Sequence, residues 1–189
     1  YCDLDLGRDH GKISELRERY RVALQVLSSP VRRAAYDEEI ARAAVEFGHR
    51  HVDAELRHRR GAQLLGEGEL GPAVLLLEEA ARLQPEQPDY LTLLGWARFL
   101  HARHAGADPA AAAAGALPDL ERALRCDDEH GGAHACLGHI RLALGDAGRA
   151  VPHYERALQA DPGRRDVRAG LQRALERLQE QPEIAAEAN

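Results

Sequence analysis

The sequence predicts an all-α fold, an α-solenoid of stacked antiparallel helical hairpins preceded by one further helical hairpin, and three observations carry that reading. Ala, Leu, Arg and Glu dominate a composition that is 44% hydrophobic and 30% charged but only 4% aromatic, which favours helix over strand. Apolar residues recur at the three-and-four spacing of amphipathic helices near both ends of the chain. Above all, small and turn-forming residues repeat at a fixed period. Gly61, Ala73, Ala80 and Pro85 stand at spacings of 12, 7 and 5, and Gly138, Ala150, Ala157 and Pro162 repeat those spacings. A period of this kind marks a repeat architecture.

Residues 1–50 form the first unit. Leu16, Tyr20, Ala23, Leu24 and Leu27 share one helical stripe, Ser28, Ser29 and Pro30 end that helix, and a second helix runs through Ile40 toward Phe47. Residues 51–182 hold three repeats, about 54–87, 88–130 and 131–164, and a capping helix over 165–180; residues 183–189 are a tail.

Two antiparallel helices approach closely only where small residues face each other, which places Gly61 and Ala73 at one crossing and Gly138 and Ala150 at another. Ala80 and Ala157 admit the next hairpin, Gly68 and Gly145 fall in the turns, and Pro85 and Pro162 mark the stop. The middle repeat is degenerate. Gly95 and Ala116 lie 21 residues apart instead of 12, an insertion of about nine centred on HAGADPAAAAAG, around residues 104–115. Poly-Ala favours helix while the flanking Gly, Asp and Pro favour a break, so a mobile or partly helical excursion on one rim is expected. The closing helix carries Val167, Leu171, Ala174, Leu175 and Leu178 on one stripe, which caps the stack.

These positions resemble the tetratricopeptide repeat (TPR) family, whose hairpins of about 34 residues stack into a superhelix. The sequence departs from the family pattern at Asp128, which replaces the terminal proline of the middle repeat, and at Arg57 and His134, where a Trp or another large apolar residue is common. In that family the first helix of each hairpin lines a concave groove. The resemblance implies a groove showing Glu55, His58, Ala62 and Leu65, then Asp89, Thr92, Trp96 and Phe99, then Ala135, His139, Leu142 and Arg173. Members that hold the C-terminal carboxylate of Hsp70 or Hsp90 use Lys, Asn and Arg. Here the matching places hold His58, Ala62 and His139, with Arg173 the one cation, so an apolar or mixed peptide, or a helix of a protein partner, is the better expectation.

The first fifty residues resemble the end of a J-domain, the Hsp70-activating module of DnaJ-type co-chaperones. Val26, Leu27, Ser28, Pro30, Arg32, Arg33, Tyr36 and Asp37 match its Leu-Ser-x-Pro turn and Arg-rich helix, and the opening YCDLDLG resembles its Tyr-x-x-Leu-Gly start. The His-Pro-Asp tripeptide on which Hsp70 stimulation depends does not occur, which implies a degenerate or truncated J-like unit.

The formal charge of -6 gives no electrostatic drive toward nucleic acid or anionic lipid. No apolar run approaches the roughly 18 to 20 residues of a membrane span, and Cys2, Cys126 and Cys136 have no disulfide-framework spacing, so a cytoplasmic protein with reduced thiols is expected. Cations are almost all Arg, with Lys12 alone, as in a GC-rich bacterial source, and a chain opening at Tyr1 without any Met reads as a fragment.

Ten histidines invite a metal reading, but the best cluster, Cys126, His130, His134 and Cys136, fits no zinc spacing. Phosphate-loop, nucleophile-elbow and zinc-protease signatures are absent. No catalytic, cofactor or metal-binding residue is nominated. The sequence therefore predicts a non-catalytic adaptor that docks a protein segment, with an Hsp70 co-chaperone or a self-assembling scaffold as the alternatives.

Overall fold

The computed structural model describes residues 6–187, with side chains from 11 to 180. Cys2 and the Tyr that opens the J-like start lie outside the described residues. Eight helices follow one another: α1 (Leu6–Leu27), α2 (Pro30–Glu67), α3 (Leu70–Leu83), α4 (Pro88–His104), α5 (Pro109–Cys126), α6 (Gly131–Ala143), α7 (Ala147–Ala160) and α8 (Arg165–Glu187). No strand occurs among the described residues. The chain divides into two units, residues 1–49 and 50–189.

In the first unit α1 ends in a two-residue turn at Ser28 and Ser29, and α2 begins at Pro30, where a proline suits a first helical turn. Its apolar residues are not buried. From Gly11 to Asp53 every side chain is exposed except the half-buried Val26 and Ser29.

The second unit is a stack of hairpins whose core is rich in alanine. Close approach explains that choice: a Cβ at Gly61 would stand 2.7 Å from Leu77 Cγ, and one at Gly95 would stand 2.9 Å from Leu120 Cγ and 3.0 Å from the Ala116 carbonyl. Ala73, Ala80, Ala116, Ala123, Ala150 and Ala157 are fully buried at these crossings. Each hairpin turns the same way. Gly68, Gly106 and Gly145 have φ of 84°, 89° and 79°, left-handed values that glycine adopts without a Cβ penalty. Each closes its helix with paired bonds, such as Gly106 N to Arg103 O (3.1 Å) and Ala107 N to Ala102 O (3.0 Å), so two carbonyls at each helix end are satisfied.

The insertion is helix, not an excursion. Gly68 and Gly145 each follow their crossing glycine by seven residues, whereas Gly106 follows Gly95 by eleven, so α4 gains about one turn. Helix α5 gains the matching turn at its start, where Asp108 caps it by accepting from Ala111 N (2.8 Å) and Pro109 takes the first position. The Gly, Asp and Pro that suggest a break are thus a stop and a start placed one turn farther out. Ala112 and Ala113 pack with Phe99 and Ala116, which fixes the longer hairpin to the core.

The departures from the repeat pattern also have physical reasons. Where the terminal proline is missing, Asp127 makes the stop: its Oδ1 accepts from Glu129 N (3.2 Å), as Asp161 Oδ1 accepts from Gly163 N (2.9 Å) one repeat later. Arg57 lies over α3 and donates to Glu79 Oε2 (2.8 Å). His134 is buried but satisfied, with Nε2 bonded to the Asp128 carbonyl (2.9 Å) and Nδ1 to His153 Nδ1 (3.0 Å).

Candidate functional site

The first helices of the hairpins, α2 from Ala54 onward, α4, α6 and α8, lie side by side and share polar and aromatic contacts. Between α2 and α4, the Tyr90 hydroxyl donates to Glu55 Oε2 (2.9 Å) and its ring stacks on His58 at 4.5 Å. Between α4 and α6, His130 Nε2 stands 3.5 Å from Asp89 Oδ1, and the Trp96 and His139 ring centres are 5.8 Å apart. Between α6 and α8, His139 Nε2 lies 3.7 Å from Asp166 Oδ2, and Arg177 donates to the Leu142 carbonyl (2.9 Å).

These contacts place each residue expected in the groove. Glu55, His58, Trp96 and His139 are half-buried, and Asp89 and Arg173 are exposed, so all six present atoms to solvent. Ala62 and Leu65 are half-buried, Leu65 against the core of the first two repeats. Thr92, Phe99, Ala135 and Leu142 are buried. Phe99 belongs to the core shared with Leu120 and Ile140, and supports Trp96 from below, ring on ring at 5.7 Å. Thr92 Oγ1 is buried without a hydrogen-bond partner among the described residues.

Tyr90, His130, Tyr154 and Asp166 also shape this face and were not foreseen. Asp166 was findable, since it occupies the register position of Glu55 and Asp89. Tyr154 was not. It arrives from the second helix α7, threads between Gly138 and Gly170, and ends with its hydroxyl 2.9 Å from His139 Nδ1.

The electrostatics follow from these partners. The Arg59 guanidinium and the Tyr90 hydroxyl hold Glu55 below the usual carboxylate range, and Arg164 does the same for Asp166. Burial pushes His58 and His139 below the ordinary imidazole value, so both are neutral at pH 7. Burial and the Glu55 bond push Tyr90 up to about 12, which keeps its proton available to Glu55. The face is therefore apolar at its centre around Trp96, with a row of carboxylates of which Glu55 and Asp166 are paired with Arg59 and Arg164.

Chemistry finds little to work with. Among the described residues no three His, Cys, Asp or Glu side chains converge as metal ligands. Of the Cys126–His130–His134–Cys136 cluster, His130 faces Asp89 and Asp127, His134 bonds His153, and burial pushes the Cys136 thiol up to about 12, far from a reactive thiolate. Among the described residues no helix is long and apolar enough to cross a membrane.

No protein-family model matches the chain, and no curated protein matches it in sequence. Solved structures do match its fold. The first TPR domain of Spaghetti (RPAP3), bound to an HSP90 peptide SRMEEVD, aligns with a TM-score of 0.58 at 20% identity, over 68% of this chain and 97% of that one. The Sgt2 TPR domain from Aspergillus fumigatus aligns with 0.58 at 21%, over 69% and 82%, and the Arabidopsis OM64 TPR domain with 0.57 at 17%, over 67% and 98%. The likeness at these identities is one of fold: the chain carries a TPR-type stack of helical hairpins.

Proposed function

We propose that this chain is a non-catalytic interaction module that binds a segment of a partner protein along the face of α2, α4, α6 and α8. The observation that carries the reading is Trp96. It is the only Trp in the chain, it stands half-exposed where α4 and α6 meet, and Phe99 below and His139 beside it hold its ring in place. A large aromatic already ordered before binding loses little entropy on contact and is the usual kind of anchor. Similar folds were solved with peptides bound, which supports a segment as the ligand.

An acidic tail is the poorer occupant. The carboxylates of the face are Glu55 and Asp166, already paired with Arg59 and Arg164, and Asp89; burial holds the imidazoles of His58 and His139 toward the neutral form, and of the positions expected to face a terminal carboxylate Arg173 alone is a cation. The segment this surface fits carries an apolar or aromatic side chain for Trp96, with polar groups on either side. The adaptor reading is preferred to an Hsp70 co-chaperone on this ground.

The test uses Trp96 as its own reporter. Peptides with and without a central apolar anchor, and the acidic peptide SRMEEVD, are titrated against the chain while Trp emission is followed, and affinities are checked by calorimetry on Trp96→Ala. A saturable response to an anchored peptide, weakened by roughly 30-fold or more in the variant, is expected from the ~2 kcal/mol of a central aromatic anchor. Equal binding by the variant, or saturable binding of SRMEEVD alone, would overturn the reading.

A further inference from the structure

We propose that two copies of this chain pair through residues 11–49, α1 of each copy lying on the first half of α2 of the other. The inference is independent of the peptide-binding face and starts from what the first unit fails to bury.

Helices in proteins gain most of their stability by packing an apolar face rather than from intrinsic propensity. Yet among the described side chains of α1 only Val26 is even half-buried. Ile13, Leu16, Tyr20 and Leu24 line one open hollow with Arg17 and Arg21, and Val22, Ala23, Val26 and Leu27 form a second with Tyr36 of α2. Tyr20 is 75% exposed and Phe47 of α2 is 67% exposed. The exposed large apolar side chains from Ile13 to Phe47 present on the order of 1,000 Å2, given about 150 to 250 Å2 per aromatic and somewhat less per aliphatic residue. A monomer ordinarily leaves a few hundred Å2 in one apolar patch. A standard interface buries about 800 Å2 on each partner. Summed over the two hollows and the start of α2, the exposed apolar area is on the scale that an interface of standard size covers.

Charge selects the occupant and its arrangement. Between residues 11 and 27, α1 carries Lys12, Arg17, Arg19 and Arg21 against Glu15 and Glu18, a surplus of two positive charges. Both carboxylates are turned to Arg19 and Arg21 of the same helix, at 2.7 and 2.9 Å. Between residues 30 and 49, α2 carries Asp37, Glu38, Glu39 and Glu46 against Arg32, Arg33 and Arg42, a surplus of one negative charge with an acidic run at 37–39. Pairing α1 with α1 would oppose like charges. Pairing α1 with α2 of a second copy opposes unlike ones, and a two-fold axis makes the exchange reciprocal, so both faces of both copies are covered at once.

Sedimentation equilibrium of the whole chain tests this. A mass of twice 20.8 kDa is expected, falling toward that of one chain on dilution. Leu16→Asp with Tyr20→Asp should leave a monomer, with the stack still folded by circular dichroism and Trp96 emission. Because acidic residues in α1 could act by unravelling it, a charge exchange gives a second reading. Lys12→Glu with Arg17→Glu should raise the dissociation constant at least tenfold, and adding Asp37→Arg with Glu39→Arg should restore it. A wild-type chain that is monomeric at every concentration overturns the proposal, whether its α1 amides exchange freely or are protected by its own α2. A dimer indifferent to all these changes places the pairing elsewhere and overturns it too.

Discussion

Tyr154 is the side chain whose fit is most tightly determined, and replacing the glycines on either side of it tests the packing logic of the stack. A Cβ at Gly138 would stand 2.7 Å from Tyr154 Cδ1 and Cε1, and one at Gly170 would stand 2.6 Å from Cζ. Ordinary carbon contacts are about 3.5 to 4.0 Å, so each alanine would ask the ring to move by about 1 Å. The ring has nowhere to go. Moving from one helix drives it into the other, its exposure is zero, and its hydroxyl is tied to His139. Overpacking of this kind costs about 1 to 3 kcal/mol, while Gly→Ala within a helix contributes about 0.5 to 1 kcal/mol in the opposite direction. Gly138→Ala and Gly170→Ala should each destabilise by up to about 2.5 kcal/mol net, after that helix gain. Gly115→Ala, at a helical site with nothing within 4 Å, should stabilise by about 0.5 to 1 kcal/mol. The decisive arm is the background: in Tyr154→Ala the clash is gone, so Gly138→Ala should change sign and stabilise. Urea unfolding followed at 222 nm reads all of these. If Gly138→Ala and Gly170→Ala behave like Gly115→Ala in the wild-type background, the close approach is not what holds these helices.

Two further outcomes follow from named contacts. His153 is pushed down to about 4 by burial first and by His134 opposite it next. Folding therefore favours its neutral form, and the stability this contributes is complete above the unfolded value of about 6.5 and is lost as pH falls from there toward 4; His58 and His139, also held down by burial, add in the same direction. The urea midpoint should fall across that window, His153→Asn should flatten the fall, and an unchanged slope in the variant would sink the assignment. Asp108→Ala removes the cap on Ala111 N and should cost about 1 kcal/mol, with faster amide exchange over residues 110–113; unchanged exchange there would show that the added turn of α5 stands without its cap.

What the sequence could reveal depended on whether a residue acts by being small or by pointing somewhere. Gly61, Gly138, Ala73 and Ala150 were legible because close approach demands small residues at those spacings and nothing else satisfies it. The insertion was legible in length but not in form. Gly106, Asp108 and Pro109 punctuate either a loop or a lengthened hairpin, and only the burial of Ala112 and Ala113 against Phe99 decides for the hairpin. Gly170 shows the opposite limit. It lies off the repeat register, and its reason for being glycine is a tyrosine from a neighbouring helix, a contact that no spacing within α8 announces. The stripe of α1 was equally plain as a pattern, but a pattern says that a face is apolar and not that it is left uncovered.

The register of the first helices placed residues on the proposed face without giving their depth. Counting from the crossing glycines gave Thr92, Phe99 and Leu142 as surface, yet the neighbouring helices cover them. The same count contained a signal that went unused. Glu55 and Asp89 each lie six residues before their crossing glycine, and the third repeat has Gly132 at that place. A side chain there would meet His130 Nε2 at 3.2 Å and the Thr92 methyl at 3.6 Å. Glycine is what lets His130 fold over the start of α6 and reach Asp89. The carboxylate row is thus interrupted where a histidine turns back upon it and resumes at Asp166, which faces His139. Each of these two imidazoles spans a helix boundary to a carboxylate, so the polar groups of the face are already turned toward one another. What is left turned outward at the centre is the Trp96 ring, and that is the ground on which the proposed ligand carries an apolar side chain rather than a charge.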